Sequence, residues 1–271
     1  MPLLDELLQT LTAEPAILVQ VLGVRGSAPR EVGAWMAVFK TSQMGTIGGG
    51  RLEWDALEHA RRLLDGGAQG AVSVRYALGP SLGQCCGGEM TLGFRAIGAA
   101  DVESLLSELK VACMPVALFG GGHVGRALVH LLGSLPVQVQ WVDSRDEIFP
   151  QQLPCNVQCE HSAPVQAAVA DLQPGSRVLV MSFSHAEDLD VVAACLQRQR
   201  LRGDLPFVGL IGSKSKWASF QGRLRERGYT DQDLAHVTCP IGVPGIADKR
   251  PEVIAVAVAA QLLQTLGSMA S

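Results

Sequence analysis

A glycine-rich turn near the middle of the chain has the residue types and spacing that bring backbone N–H groups close to an anion. Gly120, Gly122 and Gly125 occupy the three glycine positions of G-x-G-x-x-G, between an apolar strand candidate and an apolar helix candidate. The first glycine permits a tight turn, the second lets backbone N–H groups approach a phosphate, and the third lets helix and strand pack closely. The turn therefore predicts an anion site at the positive end of a helix.

Two further residues near this turn are candidate ligand contacts. Asp143 ends the next strand candidate, where this architecture places an acid that binds a ribose. His123 lies inside the turn, where it either contacts the ligand or caps the helix as a solvated side chain. Glycines that serve only to pack a helix on a sheet are the alternative, and the combination of strand, helix and acid favours the anion site.

A polar segment, SFSHAEDLD, follows a later strand candidate. Ser184 and His185 lie in it, at the carboxyl end of a strand, where open α/β sheets bind their ligands. The same residue types are typical of a helix N-cap. Both interpretations, ligand binding and helix capping, stay open for these two residues.

Glycine clusters in the first hundred residues suggest further close approaches of the backbone to a ligand. Gly48 and Gly49 precede a helix candidate and predict a second nest of N–H groups for an anion. Arg30, in the loop GSAPR, is a candidate for bidentate contact with an oxyanion, with an exposed surface arginine as the alternative.

Two adjacent cysteines, Cys85 and Cys86, lie in the glycine-rich loop LGPSLGQCCGG. N–H donors in such a turn stabilise a thiolate, so the pair is a candidate for carrying sulfur or contacting a metal. A zinc site would need more ligands from elsewhere, and Cys155, Cys159 and His161 have nonstandard spacing for that role. Zinc is therefore the less favoured interpretation.

The elements that position these residues fall into two regions. Residues 1–98 predict a mixed α+β domain that begins with an amphipathic helix. Its further elements are strand candidates at 16–24, 34–39, 71–78 and 89–97 and a helix at 52–64. Residues 99–113 predict a helix that links the two domains.

From residue 114 to 271 apolar strands alternate with helices, and the strand candidates are PVALFG, VQVQWVD, RVLVMSF and FVGLIG. This alternation predicts a Rossmann-like parallel sheet with helices on both faces. The whole chain is therefore assigned to the α/β class, with the mixed α+β domain preceding the Rossmann-like domain.

Composition excludes several classes of protein. The chain has 271 residues, 48% hydrophobic and 18% charged, which is compatible with two folded domains. Lys and Arg number 22 against 26 Asp and Glu, a net charge of −4, and no dense basic run argues for nucleic acid. No apolar run approaches the roughly 20 residues that span a bilayer. The amino-terminal segment has no basic region before its apolar residues, so we expect a cytoplasmic protein with its seven cysteines reduced.

Seven segments occur in the order found in one known family. They are GSAPR, GTIGGGRLE, LGPSLGQCCGG, FGGGHVGRALVHLL, SFSHAEDLD, FVGLIGSKSKWASFQGRL and CPIGVPGIADKRPEVIAVAVAAQLL. Together they resemble the XdhC/CoxI family of xanthine dehydrogenase accessory proteins, over nearly the whole chain.

This resemblance implies a cytoplasmic homodimer that binds the molybdenum cofactor (molybdopterin). It implies that the protein supports exchange of an oxo ligand of the cofactor for sulfide and delivers the cofactor to xanthine dehydrogenase or a related molybdenum hydroxylase. A cysteine desulfurase is then the sulfur-supplying partner. Cys85 and Cys86 fall on the family's paired-cysteine loop, where they are candidate molybdenum or sulfur contacts, and Gly120, Gly122 and Gly125 fall on its phosphate turn.

The leading hypothesis is therefore an accessory protein and not a turnover enzyme, because no persuasive acid/base constellation is present. An NAD(P)-dependent oxidoreductase built on the Rossmann-like domain is the alternative. A zinc-stabilised scaffold is a third hypothesis.

Overall fold

The computed structural model describes residues 2–67, 70–78, 87–109 and 113–267. The chain forms two compact units, Met1–Val111 and Ala112–Ser271. Each unit has its own sheet and its own hydrophobic core, so the two are taken in turn.

The first unit is an antiparallel sheet covered by helices. Its helices are α1 (Pro2–Leu11), α2 (Gly50–Asp65) and α3 (Val102–Glu108), with a 3-10 helix at Ala99–Asp101. Its strands are β1 (Ala16–Arg25), β2 (Trp35–Val38), β3 (Gln43–Gly45), β4 (Val72–Ala77) and β5 (Glu89–Ile97). The strand order is β3-β2-β1-β5-β4, and each adjacent pair is antiparallel. The predicted mixed α+β character of this region is confirmed.

The central strand β1 is apolar on both faces because both faces are covered. Ile17, Val19 and Val21 pack with α2, while Ala16 and Leu18 pack with α1 and α3. Successive side chains of a strand point to opposite faces, so this alternation divides one apolar run between two cores. The run that predicts the strand therefore also requires helices on both sides of it.

The helices of this unit present small and branched apolar residues at helical spacing. Leu4, Leu7 and Leu11 of α1 are buried on one face of the sheet, and Leu52 and Ala56 of α2 on the other. Residues three or four apart lie on the same face of a helix, which makes each of these a continuous apolar stripe.

The second unit is a parallel sheet. Its strands are β6 (Met114–Phe119), β7 (Val137–Asp143), β8 (Val157–His161), β9 (Arg177–Val180), β10 (Phe207–Leu210) and β11 (Val237–Thr238). Its helices are α4 (His123–Leu132), α5 (His185–Arg202), α6 (Lys214–Glu226), α7 (Asp231–Leu234) and α8 (Pro251–Gly267), with 3-10 helices at Asp146–Ile148 and Val165–Asp171.

The strands of this sheet are ordered β11-β10-β9-β6-β7-β8, with every pair parallel. In chain order this is 3-2-1-4-5-6 read from β8, the arrangement of a doubly wound Rossmann sheet. The order reverses between β6 and β9, and open α/β sheets bind their ligands in a crevice at the carboxyl ends of the strands at such a reversal.

Helices cover both faces of this sheet, as predicted. On one face α5, α6, α7 and the second 3-10 helix pack against Ala117 and Phe119 of β6. On the other, α4 and α8 pack against Val116 and Leu118. None of the helices in the described part of the chain is long and apolar enough to cross a membrane.

Two strands of this sheet were not predicted, β8 and β11. β8 has the sequence VQCEH, with three polar residues in five, and among the described strands it pairs only with β7. β11 has two residues and, within the same part of the chain, pairs only with β10. Edge strands such as these are specified by the neighbour that pairs with them, so a search for apolar runs does not find them.

A buried arginine connects α5 to its surroundings. The Arg198 side chain is 5% exposed and forms a salt bridge of 2.7 Å with Asp204. Its guanidinium also donates to the carbonyl oxygens of Val169 (2.7 Å) and Leu172 (2.7 Å). One cation therefore holds the end of the second 3-10 helix and the segment that leads into β10.

We expect Arg198→Leu to reduce the free energy of unfolding by about 3–5 kcal/mol, since the change leaves a carboxylate and several carbonyl groups without their donor. Urea denaturation followed by circular dichroism measures this loss. The control is Arg202→Leu on the same helix, where an exposed arginine makes one 3.3 Å hydrogen bond. It should change stability by about 0.5 kcal/mol, and equal effects of the two variants would contradict the proposed role of Arg198.

Candidate functional site

The carboxyl edge of the parallel sheet collects most of the predicted site residues. β6 ends immediately before Gly120, β7 ends at Asp143, and β9 is followed by Ser182 and Ser184. Since all six strands are parallel, these ends lie at one edge of the sheet. The crevice between β6 and β9 is the candidate site.

The first and third glycines of the turn are required by close packing. Gly120 has φ +120°, and a Cβ placed there would overlap the carbonyl oxygen of Met181. A Cβ at Gly125 would overlap the carbonyl oxygen of Gly120. That same oxygen accepts a hydrogen bond from Trp141 Nε1 at 2.9 Å. These two glycines therefore let the turn, helix α4 and strand β9 approach one another.

The second glycine is different, because it faces open space. Gly122 is the N-cap of α4 with φ −69°, and a Cβ placed there would meet no atom within 4 Å among the described residues. No side chain in that part of the structure caps the helix. The first N–H groups of a helix have no acceptor within it, and they carry partial positive charge. This end of α4, with the exposed His123 as its first residue, has the chemistry to bind an anion.

Asp143 is buried beneath the turn and is fully hydrogen-bonded. Its Oδ2 accepts from the Gly121 N–H (2.6 Å) and Arg145 Nη2 (2.9 Å), and its Oδ1 accepts from Arg145 N and Nε (both 2.9 Å). Burial raises the pKa of Asp143, but the hydrogen bonds from Arg145 and Gly121 outweigh it, so the pKa lies below its ordinary value. The predicted ribose-binding acid is thus an ionised carboxylate that ties the turn to Arg145.

A buried ion pair whose pairing the sequence did not predict lies on the other side of the crevice. Lys216 Nζ is 2.6 Å from Asp188 Oδ2, with side chains 11% and 3% exposed. Asp188 Oδ1 accepts from the Ser182 N–H at 2.7 Å. The Ser182 hydroxyl is buried and has no hydrogen-bond partner among the described residues. Lys216 lies in the GSKSK turn after β10, which is the sequence signal that points to it.

Ser184 and His185 lie at the start of α5. Ser184 is its N-cap, and the hydroxyl accepts from the Glu187 N–H at 3.2 Å. His185 is exposed, with its ring centroid 6.5 Å from that of Phe220. The structure therefore gives Ser184 the helix-capping role that was one of its two sequence interpretations.

The glycine nest of the first unit is filled from within the chain. The Glu53 carboxylate accepts from the N–H groups of Ile47 (2.9 Å) and Gly49 (3.1 Å), and the Gly48 N–H donates to Thr46 Oγ1 at 3.1 Å. A Cβ at Gly48 would lie 2.6 Å from Pro29 Cβ. The predicted nest exists, but the N–H groups of Ile47 and Gly49 bind an internal carboxylate and that of Gly48 binds a hydroxyl, so these donors are not free for a phosphate.

Arg30 also has internal partners. Its guanidinium donates to both oxygens of Glu31, at 3.0 Å and 3.3 Å, and to the Thr46 carbonyl at 3.3 Å. It lines a cleft of about 510 Å³ in the first unit. The oxyanion contact predicted for Arg30 would therefore have to compete with the neighbouring carboxylate.

The paired cysteines, Cys85 and Cys86, lie outside the described residues, so their predicted role stays a prediction. Cys155, Cys159 and His161 do not assemble: within the described ranges no three His, Cys, Asp or Glu side chains are grouped to hold a metal ion. Burial raises the pKa of Cys159 and raises that of Cys195 to about 12. Thiols with raised pKa values carry little thiolate at neutral pH and are poor metal ligands.

The strand order and the glycine turn define a doubly wound Rossmann domain, in one chain with an antiparallel-sheet unit. Residues 116–262 match the XdhC Rossmann domain, and residues 11–77 match the XdhC and CoxI family. Because the first match alone spans more than half of the chain, the protein belongs to the XdhC and CoxI family.

Individual relatives are more distant. The uncharacterized protein YqeB of Escherichia coli (strain K12) is 26% identical over 255 residues, which are 92% of this chain and 43% of that protein. The chain thus spans less than half the length of this relative.

Two solved structures also match this chain. A crystal structure of a xanthine dehydrogenase from Bacillus halodurans has a TM-score of 0.76 at 20% identity, covering 98% of this chain and 96% of that one, which shows a shared fold. A Rossmann-fold NAD(P)-binding family protein from Shigella flexneri has a TM-score of 0.35 at 17% identity, over 54% of this chain and 84% of that one. This score is too low to support an inference.

The two glycines of the turn should respond differently to the same substitution. Gly120→Ala should reduce the free energy of unfolding by about 2–4 kcal/mol, because the methyl group overlaps Met181 and φ is positive. Gly122→Ala should change it by less than about 0.5 kcal/mol, since its φ suits alanine and the space is open. Denaturant unfolding of both variants tests this, and similar stabilities would contradict the packing described here.

Glu53→Gln should destabilise the first unit by about 1–2 kcal/mol at pH 7. Burial raises the pKa of Glu53, but hydrogen bonds from Thr46, Gly49 and Ile47 lower it by more than burial raises it. The pKa of Glu53 therefore lies below its ordinary value of 4.5. A lowered pKa in the folded state stabilises above pH 4.5, and this contribution is lost as the pH falls through the folded value.

The difference between wild type and Glu53→Gln should therefore shrink below pH 4.5, as measured by urea unfolding at several pH values. The matched control is Glu58→Gln, which changes an exposed residue of the same helix and should have no such effect. A difference that is constant from pH 7 to pH 3.5 would contradict the assigned role of Glu53.

Proposed function

We propose that this protein is an accessory protein in the maturation of xanthine dehydrogenase or a related molybdenum hydroxylase, and that it binds and delivers the molybdenum cofactor. Membership of the XdhC and CoxI family supports the accessory role. The observation that carries the binding proposal is the uncapped, open amino-terminal end of α4 at Gly122, in the crevice of the parallel sheet. The cofactor is cargo in this proposal, to be bound and handed on.

The terminal phosphate of molybdopterin is the part of the cofactor that suits this crevice. A phosphate accepts hydrogen bonds and carries negative charge, which matches the free N–H groups and the positive end of α4. The Ser182 hydroxyl follows β9 at the same crevice and is a further donor without a partner among the described residues. Its backbone is held by the Asp188–Lys216 ion pair, so this donor is positioned before the ligand arrives.

Cys85 and Cys86 are proposed to contact the molybdenum or the sulfur of the cofactor. Thiolates are soft ligands, and a glycine-rich loop supplies N–H donors that stabilise them. This part of the proposal rests on the sequence. In the exchange that follows, one sulfide replaces one oxo ligand, so one equivalent of hydrogen sulfide enters and one equivalent of water leaves.

The proposed partners follow from this chemistry and from the family. A cysteine desulfurase would supply the sulfur as an enzyme-bound persulfide. A thiol reductant would release it as hydrogen sulfide and would itself be oxidised to a disulfide. An apo molybdenum hydroxylase would then receive the cofactor. The protein is proposed to act in the cytoplasm as a homodimer. Light scattering of the purified protein would test the homodimer by measuring its molar mass.

Purified protein should retain molybdenum cofactor through gel filtration and activate apo xanthine dehydrogenase when the two are mixed. Gly122→Val, which fills the open space, should weaken retention about tenfold or more, the loss expected when charge-assisted hydrogen bonds cannot form. Retention should also fall in Cys85→Ala and Cys86→Ala.

The matched control is Gly222→Val, at a helix position where a Cβ also meets no described atom within 4 Å. It should retain the cofactor as the wild type does. No retention by wild type would contradict the proposed function, unchanged retention by Gly122→Val would contradict the phosphate position, and unchanged retention by both alanine variants would contradict the role of the thiols.

A further inference from the structure

We propose that Arg145 sets the ligand selectivity of the crevice: by holding Asp143, it excludes ligands that need an acceptor for ribose hydroxyls and favours ligands that end in a phosphomonoester. This inference deepens the proposed function and rests on it, since it concerns the same crevice.

The Asp143 carboxylate has no acceptor position left for a ligand. An ionised carboxylate has about four lone-pair positions. Four donors occupy them in this structure: the N–H of Gly121 and three nitrogen atoms of Arg145, at 2.6–2.9 Å. A ribose diol is recognised by donating to such an acid, and here it would have to displace a charged partner.

The Asp143 side chain is also buried beneath the turn. Asp143 is 2% exposed. A Cβ at Gly121 would lie 2.6 Å from Ile148 Cγ1, so Ile148 is packed directly against the turn. Arg126 holds it there by donating to the Ile148 carbonyl (2.8 Å) and to that of Gly121 (3.3 Å). Asp143 is therefore buried against the packed turn, and its partly exposed partner is Arg145.

Arg145 remains able to donate a hydrogen bond to a ligand. Its side chain is 34% exposed, and Nη1 is its only nitrogen without a hydrogen-bond partner among the described residues. The guanidinium lies over the ring of Phe183, 4.4 Å from the centroid, and Phe183 is itself 66% exposed. The surface above the acid thus presents a held cation in place of a carboxylate.

The end of β7 therefore presents a cation where a ribose-binding site would present a carboxylate. NAD, with free ribose hydroxyls, needs an acceptor at the end of β7, whereas a phosphomonoester, the 2′-phosphate of NADP included, needs donors only. The turn supplies donors from α4, and Arg145 adds a fixed guanidinium nearby. Arg145 is thus a specificity residue whose removal should both expose the acid and remove the cation.

Arg145→Gln should therefore change two affinities in opposite directions. NADH, followed by its fluorescence, should bind at least about tenfold more tightly than to wild type because Asp143 regains free lone pairs. Phenyl phosphate, a phosphomonoester without ribose, should bind about tenfold more weakly by titration calorimetry. Adding Asp143→Asn to Arg145→Gln should abolish the gain in NADH binding.

Arg227→Gln is the matched control, since it breaks an exposed ion pair with Asp190 in the same unit, and it should change neither affinity. If thermal melting shows that Arg145→Gln does not fold, Arg145→Lys carries the same test: it cannot form the bidentate contact, so NADH binding should again rise. A wild type that binds NADH at micromolar concentration, or variants with no gain in NADH affinity, would overturn the inference.

The outcome is separable from that of the proposed function, which is tested by cofactor retention in wild type. Retention without any NADH gain in the variants would overturn the role of Arg145 alone. A clear reversal of affinities without retention of the molybdenum cofactor would support Arg145 as the selectivity residue and contradict the identity of the cargo.

Discussion

The carboxyl edge of the parallel sheet depends on how closely three backbone segments approach one another. Gly120 lies against the carbonyl of Met181, and Gly125 lies against the carbonyl of Gly120. Trp141 then fixes that second carbonyl through its indole nitrogen. A side chain at either glycine would separate β6 from β9 or lift α4 from the turn. The position of the helix end, and hence of every donor that faces the crevice, follows from this contact between backbones.

Much of this architecture could be predicted from the sequence because its causes are local. The apolar run of β1 and the helical spacing in α2 identify their elements without knowledge of neighbours. The glycine pattern from Gly120 to Gly125 is also local, since it reflects stereochemistry and close packing within six residues. β8 and β11 could not be found in this way, because a short edge strand is specified by the strand that pairs with it.

The partners of the charged residues could not be predicted, although the residues themselves were visible. Asp143 was expected to face a ribose, but Arg145, two residues away, occupies three of its four acceptor positions. Asp188 and Lys216 are 28 residues apart and meet only because the carboxyl ends of β9 and β10 are adjacent. Sequence reveals the inventory of charges at the edge, while the sheet order decides which charges neutralise each other and which donors remain for a ligand.

The two glycine nests show how such neutralisation separates a structural site from a binding site. In α2 the first turn contains Glu53, whose carboxylate reaches back to the N–H groups that the nest exposes. In α4 the first turn contains no acid, and of the N–H groups in the glycine turn only that of Gly121 is seen to donate to Asp143 among the described residues. The same helix-end electrostatics therefore stabilises the fold in the first unit. In the second unit it remains available, because no side chain of the described residues has the geometry to use it.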